Sequence, residues 1–295
     1  MLENKAFIEF RKERDLGAII TDTFTFIRDN WKEYFLTILK IVGPILGLAL
    51  IAVIGYLMVI GDLFQGIQND SSDPLGFVYK ILPWYGVMII VIVVLYTLMS
   101  MSSLYFIKSY MSNNGQASFE EVKENVLKNF WKFIGIGFLI MLSVLFGFIL
   151  CYFPGFYILI VLSLAAPIMV FENKSISDTY THTFTLIKGQ WWNTFGVVIV
   201  VGLLVGLIGS AFSVPTLIYQ FIKMGTMMQE QDPTAIFDLF KDPIYLVLNV
   251  LSYTFQFILY SITTIAGVFI YFDLNEQKNL TGTIDKIDSI GGYQK

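Results

Sequence analysis

Apolar positions along the chain gather into long uncharged runs, separated by short stretches where charged and aromatic residues recur at helical spacing. Lys40 to Asp62 encloses 21 uncharged residues, Lys80 to Lys108 encloses 27, Lys132 to Glu172 39, Lys188 to Lys223 34, and Asp242 to Asp273 30. A helix needs about 20 apolar residues to cross about 30 Å of hydrocarbon, so four of these runs supply one span each. As one helix the longest run would measure roughly 58 Å at the α-helical rise, too long for a single crossing. It holds the turn signal "YFPG" at 152 to 155, where we divide it. The pattern therefore predicts six spans, near Tyr34–Ile60, Trp84–Ile107, Trp131–Cys151, Gly155–Phe171, Thr194–Ile222 and Pro243–Phe272. Backbone groups inside a bilayer must be paired within the chain, which favours continuous helices here over a barrel.

The stretches between the spans are amphipathic, and one is written twice. Residues 24 to 35 read "FTFIRDNWKEYF", and residues 184 to 195 read "FTLIKGQWWNTF", with Phe, Thr, Ile, Trp and Phe at the same offsets. Helical spacing puts Leu16, Ile20, Thr23, Phe24, Ile27 and Trp31 on one face of the first copy, and Ile176, Tyr180, Thr183, Phe184, Ile187 and Trp191 on one face of the second. Asp22, Arg28 and Asp29, or Asp178, Lys188 and Gln190, lie opposite. A third stretch, Ser118 to Phe133, carries a capping box, Ser118 to Glu121, ahead of the stripe Val122, Val126, Phe130 and Phe133. The expected fold is all-α and integral to the membrane. Six transmembrane helices form three parallel hairpins, each preceded by an amphipathic surface helix. The modules cover about 15–107, 118–171 and 175–272 of one polytopic domain, 1–273, followed by a tail, 274–295. Two readings of the surface helices stand side by side: the apolar face dips among acyl chains with Trp at the interface, or it packs on the underside of the bundle.

Composition agrees with the class and charge orients it. The chain is 56% hydrophobic and only 14% charged, where soluble domains carry about 25% charged residues. Fifteen cations fall on one side: Lys5, Arg11, Lys12, Arg14, Arg28, Lys32, Lys108, Lys123, Lys128, Lys132, Lys174, Lys188, Lys278, Lys286 and Lys295. Only Lys80, Lys223 and Lys241 fall on the other, beside Asp62, Asp70, Asp73, Glu230, Asp232, Asp238 and Asp242. This bias places both termini in the cytoplasm. The charged first 30 residues do not read as a removable signal peptide, leaving the first span as the expected targeting signal. No basic run points to nucleic acid; the expected partners are membrane lipids and other membrane proteins.

Chemistry is sparse. Lys40 lies one to two turns into the first span; it reads as a snorkelling lysine reaching a lipid phosphate, or as a transport residue. Asn249, Ser252, Gln256, Tyr260, Thr263 and Gly267 step by three or four along the sixth span, as inter-helix glue or as the lining of a polar path. Gly202, Gly206 and Ser210 form a small-residue ridge on the fifth, read as a close-packing surface, and Gly43, Pro44 and Gly47 are read as a kink in the first. One histidine, His182, and one cysteine, Cys151, cannot build a metal cluster or an internal disulfide. We expect no cofactor and no catalytic or metal-binding site. Asn279-Leu280-Thr281 is a glycosylation triplet, placed by the topology in the cytoplasm. In the tail, Leu280, Ile284, Ile287 and Ile290 have near-helical spacing, as a docking helix or a loose end.

The stretch "LSLAAPIMVFENKSISDTYTHTFTLIKGQWWNTFGVV", 162 to 198, resembles a signature of the membrane domain attached to some bacterial glycerophosphoryl diester phosphodiesterases and of its stand-alone six-helix relatives. The matching positions are Pro167, Glu172, Thr183, Lys188, Gly189, Trp191 and Phe195. The resemblance, over residues 10 to 273, implies a six-helix membrane domain in a lipid-related context. It implies no chemistry, since no stretch reads as a phosphodiesterase domain. A carotenoid-oxygenase activity, which relatives of this kind can be credited with, needs several histidines around iron and does not fit one. Within this family pattern Pro167 reads as a helix bend, Glu172 as a partner of Lys174, of Lys188 or of a helix N-terminus, and Gly189 as structural. Arg28, Trp31, Lys40, Trp131, Lys188 and Trp191 are the candidate headgroup or interface residues. The function expected is that of a non-enzymatic membrane protein organising lipids or partner proteins at the cytoplasmic face. The alternative is a transporter or lipid-moving protein using a polar path along the sixth helix.

Overall fold

The structure is a computed structural model that describes residues 7–68, 74–230 and 239–291. Among these every regular element is helical. In chain order they are α1 (Leu16–Gln68), α2 (Pro74–Ser112), α3 (Phe119–Leu150), α4 (Tyr152–Leu162), α5 (Ala165–Phe171), α6 (Ile176–Ile187), α7 (Trp191–Glu230), a 3₁₀ turn (Leu239–Lys241), α8 (Pro243–Asn279) and α9 (Thr281–Gly291). Six stretches are long and apolar enough to cross a membrane: Leu16–Ile60, Ile81–Ser112, Phe119–Leu150, Tyr152–Phe171, Trp191–Gly225 and Pro243–Asn279. The chain is thus a polytopic membrane protein by length and composition of its helices. Of the acidic residues expected in connecting loops, Asp70, Asp73, Asp232 and Asp238 lie outside the described residues.

The helices start where local chemistry predicts. Asp15 Oδ1 accepts the Ala18 N–H at 2.7 Å and caps α1. Ser175 does the same for α6, accepting from the Asp178 N–H at 3.2 Å. Asp242 caps α8 through the N–H groups of Ile244 and Tyr245, at 2.9 and 3.3 Å, with Pro243 in the first turn, where no N–H is needed. Its carboxylate also accepts from Tyr219 Oη at 2.8 Å and faces Lys223 Nζ at 3.0 Å. Burial alone would raise its pKa, but these bonds prevail and hold it at about 2. The capping box expected at α3 is only half made. Ser118 Oγ accepts the Glu121 N–H at 3.5 Å, but the Ser118 N–H goes to Ser109 Oγ at 3.0 Å. The Glu121 carboxylate turns to Ser109 and Asn113 instead.

Two expectations about helix breaks need correction. The amphipathic stretches of the first two modules are not separate surface helices: they run into their spans inside α1 and α3 without interruption. Neither sequence offers a breaker at the junction, and the one proline of α1, Pro44, lies further on inside an unbroken helix. Only the third stretch, α6, is separate. It ends at Lys188-Gly189, where Gly189 takes φ +86, a conformation glycine adopts without strain. The second correction concerns Pro167. The helix stops at Ser163-Leu164 and restarts at Ala165, so Pro167 sits in the first turn of α5 and interrupts no backbone bond there.

The chain divides into two compact units. The first comprises Met1–Ile41, Thr97–Leu204 and Ser261–Lys295, and the second Val42–Tyr96 and Val205–Tyr260. The first has an aromatic centre. Phe26 meets Tyr110, Tyr34 and Phe106 edge-on at 5.2, 6.2 and 6.3 Å. Fully buried Tyr34 donates to Ser103 Oγ at 2.7 Å, tying α1 to α2. In the second unit Trp84 lies against Gly55, where a Cβ would come within 2.5 Å of the indole. There Phe212 and Phe255 stack at 4.1 Å. In α8 72% of the most apolar window is buried, against 17% in α3 and in α7. These last two turn Leu145, Phe146 and Ile149, or Leu203, Leu207 and Phe221, outward, as lipid-facing helices do.

The division of the 39-residue run at "YFPG" is reproduced one residue early. α3 ends at Leu150, its C-cap Cys151 has an extended backbone, and α4 begins at Tyr152. The two helices turn back so closely that a Cβ on Gly147 would stand 2.8 Å from the Gly155 Cα. We therefore expect Gly147→Ala to lower stability by about 1–3 kcal/mol through overpacking against backbone. Gly137→Ala on the same helix, where nothing lies within 4 Å, should be neutral or stabilising. Denaturation of both variants in micelles distinguishes the two effects.

Candidate functional site

Some cations of the first unit are built into a base whose anchor is Arg14. Its guanidinium is fully enclosed. Nη1 donates to the carbonyls of Phe10 at 2.7 Å and Lys12 at 3.1 Å, Nη2 to that of Glu9, and Nε to Asp22 Oδ2 at 2.9 Å. The group lies 4.7 Å above the Phe269 ring. Burial pulls its pKa down from the usual arginine value, against the opposing pull of the Asp22 hydrogen bond. The Arg14 N–H donates to Asp273 Oδ1 at 2.7 Å. The fork thus folds residues 9–12 over the end of α8, and Phe10 is stacked on Phe269 at 4.7 Å, 1% exposed.

The repeated phrase keeps its repeat in three dimensions, on a buried face that shares Thr23 and Thr183 with the apolar face read from the sequence. Ile19, Thr23, Phe26 and Tyr34 are buried in α1, and Thr179, Thr183, Leu186 and Thr194, each 160 positions later, are buried in α6 and α7. Thr23 Oγ1 donates to the Ile19 carbonyl and Thr183 Oγ1 to the Thr179 carbonyl, both at 2.7 Å. Most of the predicted face lies at the margin instead. Leu16 and Trp31 are exposed, and Ile20, Phe24 and Ile27 are partly so; in the second copy Thr183 and Ile187 are buried and the rest partly so. In the third stretch Val122, Val126 and Phe133 are buried and Phe130 is partly so.

The candidate interface residues separate into two groups. Trp31 (54% exposed), Trp131 (79%) and Arg28 are outward. Lys188 is exposed as well. Trp191 is not: it stacks on Tyr157 at 5.7 Å and on Phe195 at 5.1 Å and donates to the Tyr157 carbonyl at 3.4 Å. Its neighbour Trp192, 75% exposed, takes the outward position. Lys40 is exposed, with Nζ 5.1 Å from the centre of the Phe119 ring at the start of α3, the direction a snorkelling lysine would take.

Glu172 joins three elements. Its carboxylate faces Lys174 Nζ at 2.6 Å and His182 Nε2 at 3.3 Å, and accepts from Tyr271 Oη at 3.0 Å. Of the partners foreseen for it, Lys174 is present. Lys188 is elsewhere: its carbonyl, with that of Thr185, accepts from Lys278 Nζ at 3.0 and 2.7 Å. Lys108 caps α5 likewise, donating to the Val170 carbonyl at 2.7 Å and Asn173 Oδ1 at 3.0 Å. Cations at helix C-termini satisfy orphan carbonyls and the helix dipole together.

Along α8, Ser252 donates to the Phe212 carbonyl at 3.0 Å and meets Thr216 Oγ1 at 3.0 Å, and Gln256 donates to Ser213 Oγ at 3.2 Å. Tyr260 lies edge-on to Tyr96 at 4.7 Å, and Asn249 bonds its own helix at Tyr245. Thr263 and Gly267 are partly buried. Ser252 and Gln256 thus act between helices, in line with the glue reading. The ridge on α7 does not pack as expected: nothing lies within 4 Å of a Cβ on Gly202 or Gly206, and Gly209 is the glycine that meets α8, 3.5 Å from Leu259. The tail forms α9, but Leu280, Ile284 and Ile287 are exposed. It docks by another face. Gly282 abuts the Arg11 carbonyl, which a Cβ would approach to 2.4 Å, and Glu276 caps the helix by accepting from the Gly282 and Thr283 N–H groups at 2.6 and 2.9 Å.

No protein family, characterised protein or solved structure matches the chain.

Sequence reasoning counted Arg14, Lys108 and Lys278 only as topology signals. A long run of cations does not say which one is buried; the nearest clue is Phe10, flanked by Glu9 and Arg11. Arg14→Leu should cost about 3–5 kcal/mol, since it leaves the Glu9 and Lys12 carbonyls without the guanidinium and Asp22 with Lys12 alone. Lysine, lacking the fork, should restore little of this. Asp273→Asn keeps an acceptor for the Arg14 N–H and should cost much less. Chemical denaturation in micelles measures all three, and faster tryptic cutting at Arg11 and Lys12 should accompany the loss of Arg14.

Proposed function

We propose that this is a non-enzymatic polytopic protein of a bacterial cytoplasmic membrane, with both termini cytoplasmic, that organises lipids or partner proteins at the cytoplasmic face. The observation that carries the reading is the outward set on the first unit: Trp31, Trp131 and Trp192, with exposed Arg28 and Lys188. Indole rings favour the headgroup level, and cations there favour anionic lipid. The exposed Ile284 and Ile287 of α9 add apolar surface to the same unit. The likeness of residues 162 to 198 to the phosphodiesterase-associated membrane family supports a lipid-related setting. Transport along α8 has less support, because Ser252 and Gln256 are bonded to α7.

Tryptophan fluorescence tests the surface. In bilayers brominated near the headgroups, the wild-type emission should be strongly quenched. The triple variant Trp31→Phe, Trp131→Phe, Trp192→Phe should lose most of that quenching, together with the lipids or proteins that co-purify in mild detergent. A triple variant indistinguishable from wild type in both respects would remove the reading. Orientation is tested at Cys151, the only cysteine of the sequence and exposed at the turn between α3 and α4. A membrane-impermeant maleimide should label it in spheroplasts and not in inverted vesicles; the reverse pattern would put the basic side outside.

A further inference from the structure

A cavity of about 490 Å³ opens in the first unit between the N-terminal segment, the end of α2, Phe171 of α5, and α9. Its lining includes three cations, Arg11, Lys108 and Lys286, and one carboxylate, Glu9. Phe7, Met111 and Phe171 supply apolar wall. We propose that this cavity binds a phosphate group carried on an organic body, either an anionic lipid headgroup or a soluble phosphate ester.

The walls are fixed without a ligand. Arg14 clamps the backbone of residues 9–12, which bears Glu9 and Arg11. Lys108 is held at the α5 C-terminus by two bonds, and an ammonium carries three donors. α9 is seated by the Glu276 cap and by the close approach of Gly282 to Arg11. Such preorganisation lowers the ordering cost of binding. Among the described lining residues three cations stand beside one carboxylate, a balance that suits an anion. Glu9 faces Lys286 at 2.7 Å, but both side chains are substantially exposed, 42% and 61%. An exposed pair of this kind is weak, so a phosphate can displace Glu9 from Lys286. The volume falls in the range of about 300–1,000 Å³ typical of sites for organic ligands, and the aromatic wall gives the organic part a place to lie.

The inference goes beyond the surface function proposed above, and the two fail separately: a soluble ester would fill the cavity whether or not the tryptophans organise lipid. The test titrates the full chain in detergent with dihexanoyl-phosphatidic acid, glycerol 3-phosphate, inorganic phosphate and dihexanoyl-phosphatidylcholine, read by calorimetry. Tight binding of the phosphatidic acid alone identifies a lipid ligand; equal binding of glycerol 3-phosphate identifies a soluble ester. Lys286→Gln, at an exposed position, should weaken binding about tenfold. Glu9→Gln should tighten it, and Lys32→Gln, an exposed cation that does not line the cavity, should leave it unchanged. The proposal is overturned if neither phosphatidic acid nor glycerol 3-phosphate binds better than phosphatidylcholine, or if Lys286→Gln and Lys32→Gln have the same effect.

Discussion

Burying a guanidinium costs several kcal/mol unless its charge and donors are matched, and the first unit is arranged around meeting that cost at Arg14. Three carbonyls of the preceding residues, the Asp22 carboxylate and the Phe269 ring supply the match. The carbonyls can converge only if residues 9–12 wrap around the side chain. That wrapping drives Phe10 against Phe269 and brings the Arg11 carbonyl onto Gly282 of α9. The start of α1, the end of α8 and the tail are therefore set by one side chain. The basic cavity wall is a consequence of the same fold of the backbone.

The rule that the most apolar face of a helix is its buried face loses force in a membrane, and the repeated phrase shows it. Helical spacing puts Leu16, Ile20, Thr23, Phe24, Ile27 and Trp31 on one face, directed either to lipid or to the bundle. In the structure the inner face is Ile19, Thr23, Phe26, Asn30 and Tyr34, with a threonine, an asparagine and a tyrosine hydroxyl among its members. Where lipid tails or headgroups cover the outside, apolar surface gains little by turning inward. Small and hydrogen-bonding residues mark the packed side instead. Thr23 and Thr183 satisfy themselves on the preceding turn, which lets them sit between helices without stranding a hydroxyl. The second copy repeats this inner face more faithfully than its tryptophans: Trp191 is packed on Tyr157 while Trp192 faces out.

Span number and the turn near Cys151 were legible because they follow from run length and from the proline-glycine signal, which need no partner to be read. The breaks were less so. Pro167 marked the right neighbourhood, but the interruption falls at Ser163-Leu164, since proline fits a first turn and its clash is with the carbonyl four residues earlier. The break at Gly189 was not read, because the helical spacing was carried through it to Trp191; there the left-handed backbone ends α6. The base was illegible for a different reason. Lys108 and Lys278 act on carbonyls 62 and 93 residues away in sequence, and nothing in a single sequence distinguishes them from the cations that remain in solvent.

These long-range caps bear on what the molecule is suited to do. Alternating access needs an element with two packings of similar energy. The short helices α5 and α6, which join the second and third modules, are held at their C-termini by lysines from α2 and α8, and Glu172 binds Tyr271 and Lys174 between them. Moving either helix would break these caps, each worth about 0.3–1 kcal/mol at an exposed helix end. These caps join α5 and α6 to α2 and α8 through side chains, so that a displacement of either short helix is coupled to the elements that hold it.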